Sequence, residues 1–525
     1  MSVPRVLLAA VLILAPLRAA APLIDPATVR HYIDDLNRSD PEDVNGAIPD
    51  AQVWTWLQSN APLFVSSNPD IDLTYYYRWW AYRKHIEKTP IGFVITEFLR
   101  PVKHATEYNA ISCAAGLHIA EGRWLRDARY LDDYIRFWLF SGPDHTLQPH
   151  FHQFSGWMAA AVWDRFLADG NAPRLTALCD GLLADYEAWE KERLTAGGLF
   201  WQRDVSDGME ESISGGRNVK NIRPTINSYM WANARAIAEM ANMIGKPETA
   251  AEYEDRADRL RSLTEQRLWN SEAKFFETVL ESGASSNVRE LQGYTPWYFD
   301  LPEPGKGYEE AWKQLMDPKG FFAPYGPTTA EQRHPRFQIP ESGDDCPWNG
   351  PSWPFSTSIT LRALSNVLAD YPQQTAVTRA DWFKTFLIYS RSQRLKTDDG
   401  RTIPFIDEDL NPFTGVWQAR ALKLRKHTYY GRGDHYNHSS YADLVITGLA
   451  GLRPRADDTV EVNPSLPPDA LDWFCLDQVP YHGHLISILW DRTGARFQQS
   501  PGLHLYIDGR DAAHSAALGK LTARL

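Results

Sequence analysis

A mainly α-helical body with a small β-rich C-terminal region is the fold class that this 525-residue sequence predicts. Three observations predict it. Apolar residues recur at helical steps of three and four from about Leu73 to Leu452. Several of those segments are apolar on more than one face, Tyr441, Leu444, Val445, Ile446 and Leu449 among them. A helix wetted on one side does not need that. It suits inner helices covered by outer ones, as in a closed barrel of helical hairpins or a helical solenoid. After Pro454 the pattern changes to short β-rich runs separated by turn residues. No repeat of fixed period appears, which weighs against the solenoid.

In chain order, the first element is a targeting segment. Arg5 supplies a positive n-region, Val6 to Pro16 an apolar core, and Ala19-Ala20-Ala21 a small-residue cleavage site, so residues 1–21 are expected to be a signal peptide. The apolar run is too short for a permanent anchor, and an exported protein, periplasmic or secreted by a bacterium, is expected. Residues 22–72 form an N-terminal segment expected to pack on the barrel. The helical domain follows at 73–452. Its helices are expected near 74–89, 107–120, 126–140 and 153–168, then along the stripe Leu175, Leu178, Leu182, Tyr186 and Trp189. Others follow from Ile226, at 248–268, 307–316 and 354–369, from Asp381 through Trp382, Phe386 and Tyr389, and at 438–451. The connectors 195–225, 281–306, 317–352 and 395–436 are long, and long loops in compact domains usually carry function. From 453 to 525, Val460 to Val462, Leu485 to Trp490 and Leu503 to Ile507 read as strands, with turns at Asp491–Gly494 and Asp508-Gly509.

Composition bounds the function. Lys and Arg number 54 against 66 Asp and Glu, a net charge of -12, the wrong sign for a protein that displaces counterions from nucleic acid. The 35 prolines and 33 glycines are scattered, which excludes collagen-like and low-complexity chains. Beyond the signal peptide no apolar run approaches the ~18 residues of a membrane helix, so no membrane span is expected after cleavage. Cys113, Cys179, Cys346 and Cys475 lie far apart, neither a disulfide framework nor a thiolate zinc site. A neutral or cationic small partner fits best, and no cofactor is implied.

Three connectors carry chemistry. Phe200 to Ser212, continuing to Gly215-Gly216-Arg217, sets four carboxylates, two arginines and the Trp201 indole in one loop. A solvated acidic loop is the bland alternative, but Phe200, Trp201 and Met209 are costly to expose together. Cys346-Pro347-Trp348-Asn349-Gly350-Pro351-Ser352-Trp353-Pro354 holds two indoles stiffly beside an amide, a surface that suits the C–H faces and hydroxyls of a sugar. Core tryptophans at a turn are the plainer reading. Gly431 to Ser439 crowds Asp434, His435, Tyr436 and His438 before an apolar helix, more than a helix cap requires. Separated carboxylates with aromatic platforms point to glycoside cleavage, in which one carboxyl protonates the leaving oxygen and another carboxylate activates water or attacks the sugar.

These motifs carry a resemblance. DGMEES at Asp207–Ser212 resembles the SGMD-N/D-S element of glycoside hydrolase family 63, which includes processing α-glucosidases and mannosylglycerate hydrolases. WNGPSWP at Trp348–Pro354 resembles that family's YWRGPxW element and, more distantly, the Trp/Gly/Pro-rich signature of trehalases; Asn349 stands where the family has arginine. DHYN at Asp434–Asn437 is similar to ENYN, the family's base-bearing element. The resemblance implies an (α/α)6 toroid, a six-hairpin glycosidase barrel, and hydrolysis with inversion of an oligosaccharide or small glycoside. It implies Glu210 as general acid, with Glu211 or Asp207 as alternatives, and Asp434 as general base. Trp201, Arg217, Trp348, Asn349, Trp353 and Tyr436 are the expected substrate contacts, and Glu97, among apolar neighbours, is a further pocket candidate.

Rival readings remain at this point. His150-Phe151-His152 and the His435/His438 pair offer imidazoles for a metal, but without HExxH or a compact ligand box no metal site is expected. Helical barrels also serve rhamnosidase-like and arabinofuranosidase-like hydrolases and polysaccharide lyases. A non-catalytic carbohydrate-binding protein would need the platforms without opposed carboxylates.

Overall fold

The computed structural model describes residues 22–40, 44, 46–340 and 346–525; the expected signal peptide lies outside the described residues. The helical body is a closed double ring. Among the described residues, six inner elements follow one another around it. They are Ala115–Gly122, Met158–Asp169, Pro224–Met243, the short pair Leu291–Tyr294 and Thr295–Tyr298, Pro354–Asp370, and the π-helical Leu444–Leu449. The ring closes where Glu121 accepts the backbone N–H groups of Tyr441 (2.8 Å), Ala442 (3.0 Å) and Asp443 (2.6 Å), amides that begin the last helix and lack a helical acceptor. Arg123 pairs with Asp443 at 2.7 Å across the same seam.

Burial explains which ring each helix joins. Every residue of Ala115–Gly122 is buried, as are most of Pro224–Met243. Outer Pro247–Leu268 buries only Ala250, Tyr253, Ala257, Leu260, Thr264 and Leu268, a single stripe at helical spacing. Arg129–Phe140, Cys179–Arg193, Tyr308–Gln314 and Arg379–Ser392 are the other outer members, with Pro69–Lys84 completing the ring. Pro69–Lys84 is buried nearly all round because Arg30–Ser39 of the N-terminal segment covers it. Local signals set the ends. Proline opens Pro69–Lys84, Pro224–Met243 and Pro354–Asp370, where its missing N–H costs nothing. Thr378 and Asp381 form a capping box, and Gly170, at φ +64°, ends Met158–Asp169.

Several boundaries differ from the sequence expectation. The helix expected to run to residue 89 stops at Lys84, and Ile86–Thr89 pairs with Gly92–Ile95 as a hairpin. The stretch 107–114 is not helical, and 307–316 is a 3-10 segment, Tyr308–Gln314. Aromatic and apolar density there gave helical spacing without a helix.

The C-terminal region is an antiparallel five-stranded sheet beside a three-stranded one. The larger runs Leu63–Ser66, Trp473–Tyr481, His484–Asp491, Gly502–Ile507 and Arg510–Ser515 in spatial order. The smaller joins Leu452–Arg453, Thr459–Val462 and Leu521–Arg524. The edge strand Leu63–Ser66 comes from the N-terminal segment, so that segment both packs on the barrel and completes the sheet. No helix of the described residues is long and apolar enough to cross a membrane.

Candidate active site

Every connector that leads from an outer helix into an inner one emerges at the same mouth of the barrel, and the chemistry-bearing loops are these connectors. There a cavity of about 110 Å³ is lined by Glu97, Glu210, Glu408, Trp348, Trp353, Tyr436 and His438, with Phe98, Phe154, Phe355 and Arg432 among its other walls. A larger cavity, about 440 Å³, opens among the C-terminal halves of the inner helices, but the motif residues do not reach it.

Glu210 arrives on the loop Phe200–Arg217, and that loop is held by its other acids. Asp204 accepts the N–H groups of Val205 (2.8 Å) and Gly216 (2.9 Å). Asp207 is buried against Arg223 (2.8 Å) and the Thr225 hydroxyl. Glu290, from the connector into the next inner element, accepts the N–H of Ile213 at 2.7 Å. With these carboxylates committed to the backbone or to arginine, Glu210 is the acid of this loop that reaches the cavity. Asp207 lies behind it, and Glu211 pairs with Arg217 on the surface at 2.9 Å.

The second wall comes from a segment that the sequence motifs did not single out. Asp407, Glu408 and Asp409 are consecutive and all buried. Asp407 accepts the N–H of Glu408 at 2.7 Å, and Asp409 accepts that of Ala419 at 3.0 Å, in the first turn of the helix Gln418–Arg425. Glu408 between them lines the cavity, bound by Lys423 (3.0 Å) and Arg432 (2.6 Å). Burial pushes its carboxyl upward, but the ammonium and guanidinium outweigh that and hold it below the usual range, so Glu408 is ionised at neutral pH. The signal was present in the sequence: an acidic triplet between Phe405-Ile406 and Leu410 is too apolar in its flanks to be a solvated run.

Asp434 is not where the motif reading put it. It accepts from Arg420 at 3.0 Å and from the Tyr429 hydroxyl, its side chain is 32% exposed, and it does not line the cavity. The physical reason is a break in the extended run: His435 is left-handed at φ +58°, so Asp434 does not share the side that Tyr436 and His438 present. His435 turns to Tyr77 and Asp40 in the N-terminal part of the protein, while Tyr436 and His438 turn into the cavity. Asn437 splints the segment, its N–H bonded to the Glu97 carbonyl at 3.0 Å and its amide to the Thr96 carbonyl at 3.2 Å.

Glu97 forms the third acidic wall. Tyr436 donates to its Oε1, and Oε2 is buried with no hydrogen-bond partner. Burial first, then the nearby Glu408 and Glu210 charges, push its carboxyl up to about 8, so Glu97 is a neutral acid at physiological pH. Trp348 and Trp353 stack at 4.3 Å; Trp353 donates to the Pro347 carbonyl at 2.7 Å, whereas the Trp348 indole N–H is buried without a partner. Unpaired polar atoms of this kind are costly in a dry core and expected where a polar ligand supplies the missing bonds.

Three expected substrate contacts lie elsewhere. Trp201 carries Arg193 (4.6 Å) and Lys220 (4.8 Å) over its ring, Arg217 is exposed beside Glu211, and Asn349 is outside the cavity lining although its Oδ1 is buried without a partner. The His150-Phe151-His152 motif serves structure: His152 is bound by Asp185 at 2.8 Å and stacks on Trp189. Among the described residues no group of three or more His, Cys, Asp or Glu is arranged to hold a metal ion. All four cysteines are free thiols, Cys113 and Cys346 at the cavity wall.

Comparison with known proteins agrees with this architecture. Residues 107–439 match the mannosylglycerate hydrolase MGH1-like glycoside hydrolase domain, and residues 452–514 the C-terminal domain of glycosyl hydrolase family 65. A solved structure titled sialidase superposes with a TM-score of 0.90 at 45% identity over 95% of this chain, which spans only 45% of that longer protein. The family 63 mannosylglycerate hydrolase of Thermus thermophilus, complexed with glucose, matches at TM-score 0.51 and 15% identity, over 70% of this chain and 98% of that one. A family 78 rhamnosidase of a Bacillus species matches at TM-score 0.54 and 15% identity, over 85% and 41% of the respective chains. The last two show a shared fold alone. The chain has an (α/α)6 barrel and a β-rich C-terminal region, and it belongs to the MGH1-like glycoside hydrolase family.

Proposed function

We propose that the protein is an exported, inverting glycosidase that removes a terminal, α-linked sugar, with Glu210 as general acid and Glu408 as general base. One observation carries this reading: carboxyls from two distant loops meet at one small cavity, and both act on Cys346 and Glu97 beside it. Glu210 protonates the glycosidic oxygen as the bond breaks. Glu408, kept ionised by Lys423 and Arg432, takes a proton from the water that attacks the anomeric carbon from the opposite face. Neutral Glu97, the Trp348 N–H and His438 offer hydrogen bonds to sugar hydroxyls, and the Trp348–Trp353 stack supplies an apolar face. The small cavity favours one sugar residue and hence terminal cleavage. Export rests on the apolar Val6–Pro16 segment and its small-residue cleavage site.

A second reading, an acidic nonulose as the terminal sugar, is favoured by the 45% identity to the chain titled sialidase and by the Arg432 guanidinium at the cavity wall. The deciding experiment presents the purified protein with α- and β-nitrophenyl glycosides, mannosylglycerate, trehalose and a sialyl-lactose, and follows the first product by NMR. Inverted product lost in both Glu210→Gln and Glu408→Gln supports the assignment. Retained configuration, or near-normal turnover in either variant, removes it.

A further inference from the structure

Away from the catalytic mouth, at the C-terminal ends of Ala115–Gly122 and Met158–Asp169, a second cavity of about 180 Å³ separates the barrel from the β-rich region. Arg123, Arg126, Arg165 and Arg174 converge on it, with Asp169 the acid in its lining; the opposite wall is the hairpin turn Pro480 to Gly483. The charges are unevenly matched. Arg165 and Arg174 share the same two carboxylates, Asp132 and Asp169. Arg123 pairs with Asp164 (3.5 Å) and shares Asp443 with Arg362. Arg126 has no carboxylate partner among the described residues and donates to two carbonyls, those of Ala61 (3.1 Å) and Gln478 (2.6 Å). Arg165 is 4% exposed, yet its Nη1 is buried with no hydrogen-bond partner, and the same holds for Nε of Arg123. A buried guanidinium with unfilled donors is costly unless something accepts from it. The planar N–H groups of arginine match the oxygens of carboxylate, phosphate or sulfate.

We propose that this cavity is a binding site for a small oxyanion, which ties the N-terminal segment, the barrel and the β-rich region together. Arg126 is the centre of the site, because its two carbonyl acceptors belong to the first and last of those parts and, among the described residues, only Asp477, at longer range, offsets its charge. Asp169 sets the selectivity: it tolerates one compact anion held by arginines and disfavours a long polyanion.

The test uses the full mature chain. Isothermal titration calorimetry with inorganic phosphate, sulfate and acetate, each against chloride at equal ionic strength, is expected to give saturable one-to-one binding for at least one oxyanion. The melting temperature should rise and saturate with the same anion. Preference for phosphate and sulfate marks a tetrahedral ligand, and preference for acetate a carboxylate; either supports the site. Arg126→Gln should weaken binding at least tenfold while leaving initial glycosidase rates unchanged, and the anion should not inhibit the wild type. Where Arg126→Gln fails to fold, the more exposed Arg174→Gln replaces it. No saturable binding to the wild type, binding undiminished in the variant, or competition with the glycoside substrate overturns the proposal.

Discussion

The two loops that deliver carboxyls to the cavity are built alike and read very differently from sequence. In the loop around Glu210, Asp204 and Asp207 are consumed by backbone amides, Arg223 and Thr225. In the segment around Glu408, Asp407 and Asp409 are consumed by backbone amides. Each loop uses its extra acids as internal fastenings and sends one glutamate to the cavity. The difference lies in where the supporting residues sit. Glu210 stands in the densest acidic run of its connector, so composition marked the loop, and the resemblance of DGMEES to the family element singled out Glu210 with Glu211 and Asp207 as alternatives. The cations of Glu408, Lys423 and Arg432, lie far downstream of it, and the richest cluster of functional side chains, Asp434 to His438, lies further still. Density of reactive residue types marks a wall of the site and not the reacting group.

The largest expected effect tests that distinction directly. Glu210→Gln and Glu408→Gln should each lower kcat by about 10²–10⁴, the usual contribution of a general acid or base. Asp434→Asn should stay within about threefold of wild type, because its partners are Arg420 and Tyr429 outside the cavity. Parallel steady-state kinetics on one glycoside decide it; an Asp434 loss as large as that of Glu408 would reverse the roles of the two.

Glu97 gives the next largest effect, and it is a stability effect with a definite sign. Its carboxyl sits at about 8 in the fold against an ordinary 4.5, so the folded chain holds a proton that the unfolded chain releases. Stability is therefore full below pH 4.5 and falls as the pH rises toward 8, by up to roughly 5 kcal/mol for this group alone. Glu97→Gln, which mimics the neutral acid, should flatten that fall. Urea melts of both proteins at pH 5, 6.5 and 8 measure it, and equal pH slopes would show that Glu97 is ionised in the fold.

The legible and illegible parts of the molecule divide along the same line. The mainly helical body, the inner helices with apolar residues on several faces, and the strands near 460, 485 and 503 follow from periodicity, because burial leaves a local imprint. The stack of Trp348 and Trp353 was legible because prolines and glycine hold both indoles within one short motif. What escaped depends on the ring closing: Glu121 capping a helix more than three hundred residues away, Leu63–Ser66 joining a C-terminal sheet, and Glu408 meeting Glu210. Trp201 and Arg217 were over-read for the opposite reason. They neighbour Glu210 in sequence, but one backs onto Arg193 and Lys220 and the other faces water.

A smaller effect separates the two loops electrostatically. Lys423→Met removes one of the two cations that hold the Glu408 carboxyl down, so its titration should move upward, and the acid limb of kcat against pH should move upward with it. Activity should survive at pH 8, where Glu408 is ionised in either case. A limb that stays in place would mean that Arg432 alone sets the charge of the base, or that another group titrates there.

The smallest effect is the most discriminating for the acid loop. Arg217→Ala removes an exposed ion pair with Glu211, and exposed pairs contribute about 0–1 kcal/mol. Turnover and KM should both stay within about twofold of wild type, because neither residue lines the cavity. A selective rise in KM would show instead that the 211–217 rim folds over the bound sugar, making the acid loop a moving wall. The fastenings through Asp204 and Glu290 argue against that, since they pin the loop on both sides of Glu211.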